Sequence, residues 1–510
     1  MKQLFYTTLL ALAFVSCSKQ TTLSPPDKPN IVLFFVDDMG WQDTSVPFWD
    51  KKTPFNARYH TPNMEKLVAE GMKFTQAYAT PVCSPTRISL MTGMNAARHR
   101  VTNWTLHKDA LQPMETNHKD LIFPAWNVNG MSPEPLDLAV HADALPSLLQ
   151  LAGYYTIHAG KAHFGAIDTP AENPKAIGFD VNIAGHAAGG PGSYLGEKNF
   201  SANWRGGSAV WDIPGLEKFH GQQIFLTEAL TLEAKNAMDT ALNNNKPFFM
   251  YMSHYAVHAP IEKDQRYYQK YIDNGLDEKE ASYAALIEGM DKSLGDIMDY
   301  LEEKGIADNT IILFMSDNGG LSVHSRGGAP HTHNKPLSSG KGSIHEGGIR
   351  VPMIVKWPGV TVPTSENDNY LIIEDFFPSI LEMAGVEEYS TVQTIDGKSF
   401  VGMLESNPSQ KSNNRPLFWH YPNEWGPKGP GIGAFSAIRK GDLKLIYYHK
   451  DESFELFNIP EDLGEQNNLA AKKPGKVKEL ASLLTAHLKE VMAQMPIHKE
   501  SGNPVAYPGE

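Results

Sequence analysis

Three short stretches of this chain carry side chains whose types and spacing could do chemistry. Asp37-Asp38 and Asp317-Asn318 supply three carboxylates and an amide. Either pair alone reads as a turn or a helix cap, the ordinary use of Asp and Asn. Each pair, however, follows an unbroken apolar run, at 31–36 and 310–315. Carboxylates gathered from two such ends do not all stay ionised without a cation. Oxygen-only donors select a hard divalent ion, calcium or magnesium. The third stretch is Cys83-Ser84-Pro85-Thr86-Arg87. Pro85 suits the first turn of a helix. Cys83 then sits at the helix N-terminus, where backbone N–H groups favour an anion, and Arg87 is one turn on and faces the same way. A nucleophile and a guanidinium thus converge on one anion. A thiolate is a poor partner for a hard, oxygen-ligated metal, so the two readings conflict unless Cys83 becomes an oxygen group.

The apolar runs are the elements that must position these groups. Ile31-Val32-Leu33-Phe34-Phe35-Val36, Tyr154-Tyr155-Thr156-Ile157, Phe248-Phe249-Met250-Tyr251-Met252 and Thr310-Ile311-Ile312-Leu313-Phe314-Met315 read as strands buried on both faces. Helical patterns at 63–70, 145–152, 222–242 and 281–304 lie between them. Strands alternating with helices predict an α/β fold: a large doubly wound mixed sheet with helices on both faces. Ligands of such sheets sit at the carboxyl ends of the strands, where the polar residues fall. Past residue 405 short strands and one amphipathic helix at 477–495 predict a smaller C-terminal α+β domain with an antiparallel sheet. The predicted boundaries are 1–17 for a signal peptide, 18–28 for a tether, 29–405 for the catalytic domain and 406–510 for the smaller one.

The 510-residue chain carries 45 Lys and Arg against 58 Asp and Glu, a net charge of −13, which argues against nucleic-acid binding. Its two cysteines, Cys17 and Cys83, exclude a disulfide framework. Met1-Lys2, an uncharged apolar run and Ser16-Cys17 form a leader too short to span a bilayer. Cleavage before Cys17 would leave a cysteine for lipidation, as in a bacterial lipoprotein. The expectation is an exported, lipid-anchored protein facing the periplasm, attached to the membrane by the anchor alone.

Cys-x-Pro-x-Arg at 83–87 resembles the signature of the type I, formylglycine-dependent sulfatases of the alkaline-phosphatase-like superfamily. Further stretches resemble the family in order: Asp37-Asp38-Met39-Gly40, Gly160-Lys161-Ala162-His163, Ser253 to Pro260 with His258, Ser316-Asp317-Asn318-Gly319, and Gly340-Lys341-Gly342. The resemblance implies that Cys83 is oxidised to formylglycine by a maturing enzyme. The hydrated aldehyde serves as metal ligand and nucleophile, with Asp37, Asp38, Asp317 and Asn318 completing the site of one divalent cation, calcium ahead of magnesium. Arg87, Lys161 and Lys341 stabilise the sulfate charge. Asp317 assists deprotonation, His258 protonates the leaving alcohol with Lys341 near the same oxygen, and His163 takes a proton from the second hydroxyl.

The implied substrate is a sulfated glycan. The segment 319–352 looks like the branch acting on galacto-configured sugars, an exo action on 4-sulfated galactose or N-acetylgalactosamine. Arg326, His331, His333 and Asn334 are the expected sugar contacts, since loops at strand ends carry specificity. Trp425 offers an aromatic platform from the second domain. The alternatives are a phosphoesterase of the same superfamily and an inactive glycan-binding lipoprotein.

Overall fold

The computed structural model describes residues 28–111, 118–322, 326, 329–405, 414–426 and 428–510. The leader and residues 18–27 of the tether lie outside the described residues. Among the described residues nine strands form the large sheet: β1 (Asn30–Val36), β2 (Met72–Tyr78), β3 (Tyr155–Gly160), β4 (Val181–Ile183), β5 (Phe248–Ser253), β6 (Thr310–Ser316), β7 (Arg350–Lys356), β8 (Ser365–Asn367) and β9 (Leu371–Ile372). Their spatial order is β8-β2-β7-β6-β1-β5-β3-β4, with β9 also on β2. The sheet is parallel from β6 through β4, and β7 runs antiparallel to both β6 and β2.

β1 shows why its sequence has no polar alternation. Ile31, Leu33 and Phe35 enter the core on one face, and Val32, Phe34 and Val36 enter the core on the other. Side chains of period two feed two cores, so every position is apolar. Helices α2 (Cys83–Thr92), α3 (Leu145–Leu151) and α6 (Phe376–Met383) pack on the first face, and α1 (Pro62–Glu70), α4 (Leu226–Asn243) and α5 (Glu278–Glu303) on the second. This is the mixed, doubly wound α/β architecture expected.

The register aligns the ends that matter. Val36 pairs with Ser316, Phe35 with Ser253, and Gly160 with Ser253. The residues just beyond β6, β1, β5 and β3 therefore emerge side by side: Asp317, Asp37, His254 and Lys161. The ladder continues one step further, with the Asp317 N–H donating to Val36 O and the Lys161 N–H to Ser253 O.

A second sheet, β10 (Leu417–Tyr421), β11 (Phe435–Lys440), β12 (Leu443–Tyr448) and β13 (Ser453–Asn458), is antiparallel throughout. One face takes α7 (Pro474–Glu490) through Leu480, Leu484 and Leu488. The other face joins the first core through Trp419, Ala437 and Phe457. The seam also holds buried charge: Lys444 of β12 pairs with Glu346 at 2.8 Å and with Glu465 at 2.6 Å, all three fully buried.

Burial pushes the Glu346 carboxyl up, but Lys444, then Arg439 and Arg350, outweigh it and hold it at about 2. A carboxyl lowered in the folded state stabilises fully above its unfolded value, and that contribution is lost as pH falls toward the folded one. Lys444→Ala, which removes the buried cation shared by two buried carboxylates, is expected to cost roughly 3–5 kcal/mol in denaturant unfolding. Because protonation relieves the Glu346 carboxyl once its main cation is gone, the deficit relative to the wild type should shrink as pH drops from neutral toward about 4. A deficit that is flat with pH would show that the pair is not the seam's electrostatic anchor.

Candidate active site

Helix α2 starts at Cys83 and is buried along its whole length. Gly93 closes it in the left-handed conformation at φ 69°, which glycine adopts without strain. This sets Cys83 at the helix N-terminus and projects Arg87 under the strand ends. There the guanidinium donates through Nε and Nη2 to Asp317 Oδ2, at 3.1 and 2.7 Å. Its Nη1 reaches the Lys161 carbonyl, the Tyr251 hydroxyl and Ser253. Lys161 Nζ meets Asp37 Oδ2 at 2.8 Å and Asp317 Oδ2 at 3.9 Å. Lys341 Nζ meets Asp38 Oδ1 at 2.6 Å.

Asp37, Asp38 and Asp317 offer carboxylate oxygens within 4.8 Å of one another, all buried. The charges of this cluster explain its titration. Burial and the neighbouring Asp317 raise the Asp37 carboxyl well above its ordinary range, and Lys161 only partly compensates. Burial also works against Asp38 and Asp317, but the surrounding positive groups together outweigh it, led by Lys341 at the first and Arg87 at the second, so both lie below the ordinary range. Three buried oxygens of this cluster have no hydrogen-bond partner among the described residues: Asp37 Oδ1, Asp38 Oδ2 and Asn318 Oδ1. Buried acceptors without donors are costly, and an over-crowded carboxylate is relieved by a cation. The residues therefore fit a hard divalent ion held by oxygen. Asp38, at φ 60°, and His163, at φ 57°, are both held in the left-handed region, a strain that surrounding structure must impose.

Above the carboxylates lies a cavity of about 180 Å³, lined by Cys83, His163, His258 and Lys341, with Trp104, Trp211 and Trp425 at its walls. His163 Nε2 lies 2.9 Å from the Thr105 carbonyl, which can only accept. That nitrogen carries the proton, and Nδ1, 3.4 Å from Cys83 Sγ, faces position 83 as an acceptor. His258 has the opposite tautomer: Nδ1 lies 2.6 Å from the Ala259 carbonyl, so Nε2 is the free nitrogen, 3.8 Å from Asp38 Oδ2. Burial and then the neighbouring lysines push both imidazoles below their ordinary range. Burial likewise pushes the Cys83 thiol up, which keeps an unmodified cysteine in its unreactive form.

Of the six residues expected to be catalytic, Cys83, His163, His258 and Lys341 face this cavity. Arg87 and Lys161 lie beneath it, bound to the carboxylates. His254 packs against Phe34 and hydrogen-bonds Ser293.

The four expected sugar contacts do not line the cavity, and their reading is corrected. Arg326 is buried and pairs with Asp43 and Glu280. His333 pairs with Glu280 at 3.1 Å, and Asn334 donates to Gly320 O and Ser339 O. His331 lies by the Lys428 carbonyl and lines a different hollow. A buried guanidinium needs carboxylates, and Asp43 and Glu280 hold this one inside the fold.

Residues not singled out from sequence do face the cavity: Trp104, Trp211 and Gly189. A Cβ on Gly189 would lie 2.4 Å from His163 Cε1, and one on Gly190 would lie 2.8 Å from His258 Nδ1. The run Gly189-Gly190-Pro191-Gly192 was the available signal, because glycines cluster where something approaches the backbone closely.

Calorimetric titration with calcium checks the ion site. Asp38→Ala is expected to weaken binding at least tenfold, by removing one of few charged donors. Gly189→Ala is expected to leave binding within about twofold, because it crowds His163 and not the carboxylates. Equal calcium affinity in Asp38→Ala and wild type would overturn the assignment of that carboxylate.

The Sulfatase family profile matches residues 29–386, and the profile described as N-sulphoglucosamine sulphohydrolase, C-terminal, matches 340–494. A protein named sulfatase from Formosa agariphila is 30% identical, over 92% of this chain and 89% of its own. The N-acetylgalactosamine-6-sulfatase of Mus musculus is 28% identical, over 92% of this chain and 80% of its own. The solved structure of Ps i-CgsB in complex with k-i-k-neocarrahexaose superposes with a TM-score of 0.70 at 26% identity, covering 91% of this chain and 93% of that one. With a family profile spanning most of its length and relatives matched nearly end to end, this chain belongs to the sulfatase family and is a sulfuric ester hydrolase.

Proposed function

We propose that this enzyme removes sulfate from a galacto-configured sugar, acting on a terminal residue of a sulfated glycan. The observation that carries this reading is the cluster of three buried carboxylates and the Asn318 amide, with three oxygens that have no hydrogen-bond partner among the described residues, directly beneath a small cavity lined by Cys83, two imidazoles and three indoles. Asp37, Asp38, Asp317 and Asn318 would hold a divalent ion, calcium ahead of magnesium, which would supply Lewis acidity, and position 83, matured to formylglycine, would supply a hydrated aldehyde as nucleophile.

The chain's own groups do the rest. Arg87, Lys161 and Lys341 bring three positive charges to three carboxylates. With a divalent ion bound, the centre would be net positive, which would favour an anionic ester. Arg87 and Lys161 hold Asp317 and Asp37 in place from below. Lys341, alone of the three at the cavity wall, meets the sulfate oxygens directly. Nδ1 of His163, kept unprotonated by the Thr105 carbonyl, accepts a proton from position 83. His258 presents Nε2 to the leaving oxygen and delivers a proton there once the anionic ester offsets the nearby lysine charge.

Support for the sugar comes from the indoles, which suit a ring with one apolar face, and from relatives named N-acetylgalactosamine-6-sulfatase. The expectation of a 4-sulfate rested on a loop whose side chains are turned to other partners, so the 6-sulfate is the first to test. The phosphoesterase alternative is disfavoured by the all-oxygen ion site. An N-terminal lipid anchor at Cys17, a periplasm-facing location, a maturing enzyme as partner and a catalytic domain ending near residue 405 complete the proposal.

The test is sulfate release by protein coexpressed with a maturing enzyme, on galactose and N-acetylgalactosamine sulfated at position 4 or 6 and on N-acetylglucosamine 6-sulfate. Selective multiple turnover of a galacto sugar is expected. Cys83→Ser should lower steady-state turnover by roughly three orders of magnitude or more, as loss of a nucleophile does. Silence on every sugar, with position 83 verified as aldehyde by mass spectrometry, would sink the substrate assignment. Undiminished turnover by Cys83→Ser would sink the mechanism.

A further inference from the structure

The cavity over Cys83 has a neighbour on the far side of His258. Trp211 and His258 also line a second hollow of about 350 Å³, shared with Gly190, Pro191, Arg205 and Gly207. The first cavity is small. At about 30 Å³ per water it holds roughly six waters' worth of volume, one sulfated ring at most. The remainder of a glycan must leave it, and the hollow beyond Trp211 adjoins it, sharing Trp211 and His258 as walls.

Arg205 distinguishes this second hollow. It is exposed, and among the described residues no carboxylate lies within ion-pair distance of it. Arg58, Arg98, Arg266 and Arg415, by contrast, each hold one. The single hydrogen bond shown for its side chain runs from Nη2 to Pro191 O at 3.4 Å. A guanidinium has five N–H donors in a fixed fork matched to carboxylates and sulfate-like anions. Four of these donors are uncommitted, in a protein whose net charge is −13.

The fork is not on a loose loop. Trp204 Nε1 donates to Gly192 O at 3.3 Å, and the Ala202 N–H donates to Asp212 Oδ1 at 2.8 Å. These two bonds tie the turn Asn203–Arg205 to the glycine run beside the histidines and to the segment bearing Trp211. Indole, guanidinium and catalytic imidazole are thereby held on one frame. An aromatic face for a ring and a fork for an anion, both adjoining the reaction site, suit one occupant: a sugar linked to the one losing sulfate and carrying an acidic group.

We infer that the hollow bounded by Trp211 and Arg205 is a subsite for the sugar residue adjoining the sulfated one, and that Arg205 selects neighbours bearing a carboxylate or a second sulfate ester. This rests on the reading of the enzyme as a glycan sulfatase. The natural substrate is then an oligosaccharide with acidic groups on consecutive residues.

Three disaccharides test it, each carrying N-acetylgalactosamine 6-sulfate next to galactose, glucuronic acid or sulfated galactose. Wild-type kcat/KM is expected to favour the two acidic neighbours about tenfold over the neutral one. Arg205→Ala should bring that ratio to about one, and Arg205→Lys should retain part of it. Preference for one acid over the other identifies which anion the fork accepts. The absence of any preference in the wild type, or an equal fall on all three substrates in Arg205→Ala, would overturn the inference. If none of the three is turned over, the choice of a 6-sulfate made above fails, and binding still decides this point. Titration of Cys83→Ser protein with the glucuronic-acid disaccharide should then give an affinity about tenfold above that for the galactose one, lost on adding Arg205→Ala. Equal affinities would reject the subsite.

Discussion

Three carboxylates buried at one point are the constraint on which the rest of this structure depends. Asp37, Asp38 and Asp317 are each completely removed from solvent, a placement that would drive protons onto them if they stood alone. They are held by three cations that approach from different directions: Arg87 from helix α2, Lys161 from the end of β3 and Lys341 from the loop before β7. Each of these cations is itself nearly or completely buried, so neither set is stable inside the protein without the other. Breaking any one pair leaves a charge with nowhere to go, which ties three distant parts of the chain into one unit.

The sheet makes this convergence possible. Parallel neighbours β6, β1, β5 and β3 end level, so residues more than two hundred positions apart in sequence become adjacent with no long side chains needed to reach. Lysine and arginine supply the remaining reach, through stems packed in the interior. The histidines obey a different rule. Their rings are oriented by carbonyls, Thr105 O for one and Ala259 O for the other, and are packed against by a pair of glycines. A carbonyl cannot donate, so each contact fixes a tautomer as well as a direction. His163 thereby becomes an acceptor toward position 83, and His258 presents its second nitrogen to the cavity.

The sequence was legible wherever one continuous segment contained both the element and its function. β1, β5 and β6 are uninterrupted apolar runs because both faces are buried, and their polar ends are the site. β2 and β7 escaped notice because their pattern is mixed: Lys73, Thr75 and Gln76 interrupt the first, and Pro352 in the second sits where the pairing register shifts. The loop at 319–352 misled for a related reason. The Arg326 guanidinium and the His333 imidazole look like ligand contacts when read alone, but Glu280 and Asp43, distant in sequence, claim them. Trp104 and Trp211 stand singly in irregular segments with no local pattern to mark them, and only the folded chain brings them over Cys83.

This contrast has a physical basis. Groups that act on the sulfate must be buried, preorganised and charge-balanced, since their strength depends on a low-dielectric surrounding. They are therefore built into strand ends, where any shift disturbs the core. Groups that meet the sugar need area and shape, which half-buried indoles provide from loops that contribute little to the core. The loops are nevertheless fastened to the site: Asn423 Nδ2 bonds Thr102 Oγ1, joining the segments that carry Trp425 and Trp104, and a Cβ on Gly342 would lie 2.1 Å from the Trp425 ring, so the residue after Lys341 must be small for that indole to reach the cavity. The rim is thus positioned by the same backbone that positions the lysine. Loop residues such as Trp211 and Arg205 can change which glycan enters while the three carboxylates and their cations, one layer below, keep the geometry that the chemistry requires.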